Sequence, residues 1–319
     1  RLYTAAVIIL LEIRWIEIMR IIDVHAHYVP ETLWEAEQDR GFFSVDKTGL
    51  DQRVQMLNDG GIDIQVLSPV ARYSNSNLEL TMRHNDAMAQ EVDQYPNRFI
   101  GMASIALNEP DTASKELERS VKDLGMKGAT IGSNATGVNL DAKEFGPFYS
   151  KAQELGVPIF VHPMTVLGQD RLQKYQLDNL IGNPTDTSVA VASLIFGGVL
   201  NEFPKIKIYL AHGGGTCTYL APRWDQGSRS RLASSVKLNK LPSEYLKLLH
   251  FDSLTHSTLL LENLAKYVGA DHIMLGSDYP YDMGDRESIA KVQISEVLSE
   301  REKRLISGET AENYFGIEP

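Results

Sequence analysis

The chain has 319 residues, 43% of them apolar and 23% charged, an ordinary globular composition that excludes a disordered protein. With 31 basic and 42 acidic residues the net charge is −11, which excludes a general nucleic-acid binder and leaves small anionic substrates to local arginines. The single cysteine, Cys217, excludes an intramolecular disulfide and any zinc site built on two thiolates, and fits a reducing, cytoplasmic setting.

Residues 1–18 read as an N-terminal extension. The apolar run 5–11 is broken by Glu12 and Arg14, far short of the ~20 residues of a membrane span, and no small-residue cleavage site follows. Met19 reads as the natural start, with 19–319 forming one barrel. From there β-rich apolar runs recur at 21–25, 62–67, 98–105, 127–131, 157–162, 206–212, 249–253 and 272–278. Helix-period segments fall between them, among them 50–59, 113–124, 145–155, 187–202 and 258–268. Gly60-Gly61, Gly125, Gly156, Pro204 and Gly269 mark the joins. Continuous apolar strands alternating with helices imply a parallel sheet covered by helices. Eight such units predict an α/β fold, a (β/α)8 TIM barrel, with residues 28–50 as a long first βα loop over the active site.

Five candidate ligands close the predicted strands at the C-terminal face: His25 and His27 on the first, His162 on the fifth, His212 on the sixth and Asp278 on the eighth. Residues i and i+2 of a strand share a side, so His25 and His27 aim together into the barrel. Imidazoles with a carboxylate suit a borderline divalent ion such as zinc, with manganese as the alternative.

The strings IIDVHAHYVP, VPIFVHP, FPKIKIYLAHGGG and IMLGSDYP resemble the amidohydrolase superfamily, and within it the metal-dependent decarboxylases that include aminocarboxymuconate semialdehyde decarboxylase. The resemblance runs from Met19 onward. It implies a barrel with one catalytic metal held by His25, His27, His162 and Asp278, and His212 as acid/base. Two-metal sister families use a lysine at the end of the fourth strand. Here Lys127 stands at the other end, which favours one metal.

The same resemblance places Arg53 against a substrate carboxylate. It supplies Arg223 from a neighbouring subunit, implying a homodimer with shared sites, and sets Met164 and Asn179 against the substrate. Gln176, Asn179 and Met164 stand where the family has aromatic residues, so a different unsaturated or aromatic acid is allowed. The triple glycine 213–215 lacks the Lys-Ser/Thr of a phosphate loop and reads as a close turn beside the metal. Cys217 reads as packed. Asp252 and His256 read either as partners of the metal ligands and pocket wall or as plain structural groups, and His84, His250 and His272 as structural or surface residues.

The expected function is a metal-dependent non-oxidative decarboxylase of an unsaturated or aromatic acid such as 2-amino-3-carboxymuconate 6-semialdehyde. His212 or Asp278 returns the proton. The alternative is hydrolysis or hydration of a lactone, amide, ester or enol acid by the same centre.

Overall fold

The computed structural model describes residues 20–35, 47–70, 77–230 and 237–318. The expected extension at 1–18, Met19, and residues 36–46 of the first βα loop lie outside these residues. Among the described residues eight strands pair in parallel, in chain order: β1 Ile22–Tyr28, β2 Ile64–Pro69, β3 Phe99–Ser104, β4 Gly128–Gly132, β5 Pro158–His162, β6 Lys207–Leu210, β7 His250–Asp252 and β8 Ile273–Met274. The ends meet where Val24 N donates to Leu275 O (2.8 Å), His27 N to Tyr279 O (2.7 Å) and Asp278 N to His25 O (2.6 Å). These bonds close a (β/α)8 barrel.

Helices follow the strands: α1 Leu50–Gly60, α2 Leu78–Val92, α3 Pro110–Lys122, α4 Gly146–Leu155, α5 Asn183–Phe196, α6 Cys217–Arg229 and α7 Thr258–Val268. Local chemistry sets their limits. The Asn77 side chain accepts Leu80 N to start α2, and Ser257 accepts Leu260 N to start α7. Left-handed Gly61 and Gly156 end α1 and α4.

The structure revises two expectations and adds a helix. The segment 187–202 is two helices, because Gly197 and left-handed Gly198 break it before Val199–Glu202. Helix α2 was not singled out in the sequence. The sixth and eighth strands end early, so His212 and Asp278 stand on turns beyond Leu210 and Met274 rather than at strand ends.

Two apolar layers flank the barrel wall. One joins the strands to the surrounding helices; the other fills the barrel with Ile22, Val24, Val66, Met102, Phe160 and Tyr209, closed below by Tyr314 and Phe315. Phe160 and Tyr209 stack at 4.4 Å with an 11° interplanar angle, giving a rigid floor. No helix among the described residues is long and apolar enough to cross a membrane.

Candidate metal centre and active site

Strand β1 carries a bulge. Asp23 pairs with Gln65 but Ala26 pairs with Leu67, so an extra residue enters between them. Below it Ile22 and Val24 face the interior; above it Ala26 and Tyr28 face the helices. The phase reversal turns His25 and His27 inward above the aromatic floor, where the His25 ring lies 4.9 Å from Phe160.

Their ring nitrogens meet. His25 Nε2 lies 3.1 Å from His27 Nε2, and each is 3.1 Å from Asp278 Oδ1. The His162 ring is 5.2 Å from His25 and 4.6 Å from His27. One ligand atom each from His25, His162, His212 and Asp278 fall within 4.8 Å of one another. Geometry alone therefore gathers five candidate groups, and hydrogen bonding separates them. His25 Nδ1 donates to Asp252 Oδ2 (2.5 Å), His27 Nδ1 to Pro69 O (3.0 Å) and His162 Nδ1 to Pro163 O (2.9 Å). Each acceptor fixes the proton on Nδ1 and leaves Nε2 with a lone pair aimed at the centre. His162 Nε2 and Asp278 Oδ1 are buried without a hydrogen-bond partner, atoms that a cation would satisfy. His212 differs: its Nδ1 has no such acceptor, and its Nε2 lies 3.5 Å from Asp278 Oδ2. The residues present fit a divalent cation.

Charge at the centre points the same way. Burial pushes His25 down, but Asp278 and Asp252 overcome it and raise its pKa to about 10. Burial also opposes ionisation of Asp278, yet His25, His212 and His27 hold it well below the usual carboxylate range. Burial lowers His27, and lowers His162 strongly, with the neighbouring imidazoles adding to the effect. One positive charge among these imidazoles balances Asp278, and a cation competes with that proton for the same place.

The turn that carries His212 requires its glycines. Gly213, Gly214 and Gly215 all have positive φ, and a Cβ at Gly215 would sit 2.1 Å from Pro184 O. Asp252 holds the turn from β7: Oδ2 also accepts His212 N (2.8 Å), and Oδ1 accepts Gly213 N (2.7 Å) and Leu254 N (3.0 Å). Burial opposes its ionisation, but His25 and these donors depress its pKa overall. Asp252 thus occupies the orienting position that the sequence reading offered it. Cys217, the first residue of α6, is buried and its thiol is pushed up to about 12 by burial, the profile of a packed residue.

The centre opens into a cavity of about 1800 Å³ lined by His27, His162, His212 and Asp278 together with Arg53, Met164, Gln176, Asn179, Tyr281 and His256. Six non-glycine residues among those described take left-handed backbone: Thr136, Tyr175, Gln176, His212, His256 and Asp278. All except Tyr175 line this cavity. Such strain persists where surrounding structure over-determines it, and it gathers at functional sites.

Arg53 reaches the cavity but is already engaged. Its guanidinium lies between the rings of Tyr28 (4.9 Å) and Tyr279 (4.7 Å) and donates to His27 O at 2.7 Å. Arg223 is exposed on α6 and does not line the cavity. Lys127 precedes β4, at the end away from the centre. His84 is buried within α2, while the His250 ring lies 4.2 Å from Tyr314 and 4.8 Å from His272, near the closed end of the barrel.

Sequence reasoning missed Asp23, a buried carboxylate that accepts His25 N, Ser277 N, Ser277 Oγ and Gln65 Nε2, tying β1 to the turn of Asp278. Its signal was its place two residues before His25. Asp186 was also missed; it binds Ser133 and Asn134 and accepts Leu167 N, bracing the loops after β4 and β5.

Residues 22–317 match the family profile described as Amidohydrolase. The chain belongs to the amidohydrolase family. The 2-amino-3-carboxymuconate-6-semialdehyde decarboxylase of Dictyostelium discoideum is 35% identical over 277 residues, covering 84% of this amidohydrolase and 77% of its own length. The gamma-resorcylate decarboxylase of Polaromonas sp. JS666 is 29% identical over 317 residues, covering 92% and 93%. Among solved structures, a dihydroxybenzoic acid decarboxylase from Polaromonas sp. JS666, with bound manganese and the inhibitor 2-nitroresorcinol, superposes with a TM-score of 0.82. It is 24% identical and covers 94% of this chain and 98% of its own, a likeness of fold.

Proposed function

We propose that this amidohydrolase is a metal-dependent, non-oxidative decarboxylase of an unsaturated or aromatic carboxylic acid. The observation that carries the reading is the convergence of three Nδ1-protonated imidazoles and Asp278 on one point, with His212 beside them and a large cavity above. Decarboxylase relatives covering most of the chain support the choice of reaction.

His25, His27, His162 and Asp278 would hold one divalent cation. When bound, it supplies Lewis acidity that stabilises negative charge developing on the substrate, a contribution of several kcal/mol. Zinc is the proposed ion; the donor set also accepts manganese, the metal in the fold neighbour. As the carbon–carboxylate bond breaks, its electron pair stays on carbon and carbon dioxide leaves. His212 holds the proton that replaces it, on Nε2, with Asp278 Oδ2 3.5 Å away to stabilise the charged imidazole. Arg53 contributes its charge from between the two tyrosine rings. Met164 and Asn179, which line the cavity, contact the substrate. Arg223 completes the partner's site in a cytoplasmic homodimer, in keeping with its exposure on α6.

The test is carbon dioxide release by metal-loaded protein offered freshly generated aminocarboxymuconate semialdehyde and a set of hydroxybenzoic acids. Metal-dependent release from any of them is the expected result. No release from protein with its metal bound, together with turnover of a lactone or enol acid, would overturn the proposal in favour of hydrolysis or hydration.

A further inference from the structure

The loop that follows β7 carries an imidazole that neither the metal centre nor the fold employs. Everything around it is tied down. Leu254 N donates to Asp252 Oδ1 (3.0 Å), Thr255 N to Ser253 O (2.8 Å) and Thr255 Oγ1 to Ser257 O (2.9 Å), while Ser257 caps α7. At the tip stands His256 with φ 56°, a left-handed backbone that Gly or Asn adopts more easily. His256 is exposed and lines the cavity, and its ring has no hydrogen-bond or ion-pair partner among the described residues. A strained backbone in a loop that its neighbours already fix, presenting a free donor–acceptor group to the cavity, has the form of a contact awaiting its ligand.

We propose that His256 is a substrate-contacting residue that selects acids bearing a second oxygen substituent, a hydroxyl or a further carboxylate, besides the carboxylate that is lost. A neutral imidazole offers one donor and one acceptor, which matches a hydroxyl, and a protonated one offers two donors, which matches a carboxylate. Both states reject a bare apolar ring edge, because the imidazole would lose water without gaining a partner. The inference rests on the decarboxylase reading for the chemistry, but binding is measurable without turnover.

The test uses metal-loaded protein, full chain, as wild type, His256→Gly and His256→Asn, with calorimetric binding of benzoate, 2,6-dihydroxybenzoate and benzene-1,3-dicarboxylate, alongside carbon dioxide release. The wild type is expected to bind a substituted acid at least about tenfold tighter than benzoate, the size of one good hydrogen bond. His256→Gly should lose that preference while its benzoate affinity stays the same, and His256→Asn should retain part of it. For a substituted acid that turns over, KM should rise and kcat hold. Strain relief predicts that His256→Gly melts no lower than the wild type. An unchanged preference in His256→Gly, equal weakening of all three acids, or a wild type with no preference each overturns the assignment. Which substituted acid is preferred separates hydroxyl from carboxylate recognition. Absence of carbon dioxide release with the binding preference intact overturns the decarboxylase reading and leaves His256 as a binding residue.

Discussion

Replacing Asp252 with Asn removes no volume and one charge, yet the structure predicts a large effect. Both carboxylate oxygens are occupied by N–H donors: Oδ2 by His25 Nδ1 and His212 N, Oδ1 by Gly213 N and Leu254 N. An amide has one oxygen, so in either orientation its NH2 must face two donors. Two charge-assisted hydrogen bonds are lost at about 1.5–3 kcal/mol each, a destabilisation of about 3–6 kcal/mol. The remaining pair weakens because its acceptor is neutral. With the amide turned one way His25 also loses the acceptor that fixes its tautomer, so affinity for the metal should fall about 10–100-fold. Urea unfolding of metal-free protein reads the first quantity, and competition with a chromogenic chelator reads the second. A destabilisation below about 1 kcal/mol with unaltered chelator competition would refute the claim that this carboxylate ties a metal ligand to the His212 turn.

Three further outcomes are expected. His212→Asn, chosen because Asn tolerates the left-handed backbone at this position, should keep its metal and lose about 10²–10⁴-fold in turnover; metal content and carbon dioxide release measure the two, and turnover within threefold of wild type would remove His212 from proton transfer. Burial lowers His84 to about 4, so below its ordinary value of 6.5 the unfolded chain binds a proton that the folded chain refuses. Stability is therefore complete above pH 6.5 and declines as pH falls toward 4, by up to about 3 kcal/mol from this residue; urea midpoints at pH 7.5 and pH 5 should diverge less in His84→Met than in wild type, and equal divergence would sink the assignment. Cys217, with its thiol at about 12, should resist iodoacetamide at pH 8 in the native protein and react after denaturation, as mass spectrometry would record; rapid native labelling would contradict its burial.

The barrel was legible in the sequence because its strands are buried on both faces, so each appears as an unbroken apolar run between turn residues. The pairing of His25 with His27 was legible from their spacing. Their inward direction was expected from the same spacing; the bulge between Asp23 and Ala26 that sets the phase was not, because it leaves no mark in hydrophobicity. His212 and Asp278 were found as residues but misplaced on strands. The glycines after His212 did announce a turn, whereas Asp278 takes its left-handed backbone with no such notice. Arg53 shows the limit of reading charge alone: its place between Tyr28 and Tyr279 depends on a ring that comes from the far end of the chain. Asp23 and Asp186 were overlooked because a buried carboxylate and a solvated one look alike until their donors are known.

The seam of the barrel has a consequence for how the protein is made. The bonds that join β1 to the segment after β8 run through His25, His27 and Asp278 themselves, so closing the barrel and assembling the proposed ligand set are one event. These ligands are separated by about 250 residues, and a ribosome adding about 5–20 residues per second delivers Asp278 on the order of 10–50 s after His25 and His27. Throughout that interval the nascent chain exposes two imidazoles without their carboxylate. Loading of a metal at the proposed ligands is thus a late step of biogenesis, set by the emergence of the last βα unit; without the ion the first and last strands are joined by the backbone hydrogen bonds, by Asp23 on Ser277 and by the contacts of His25 and His27 with Asp278.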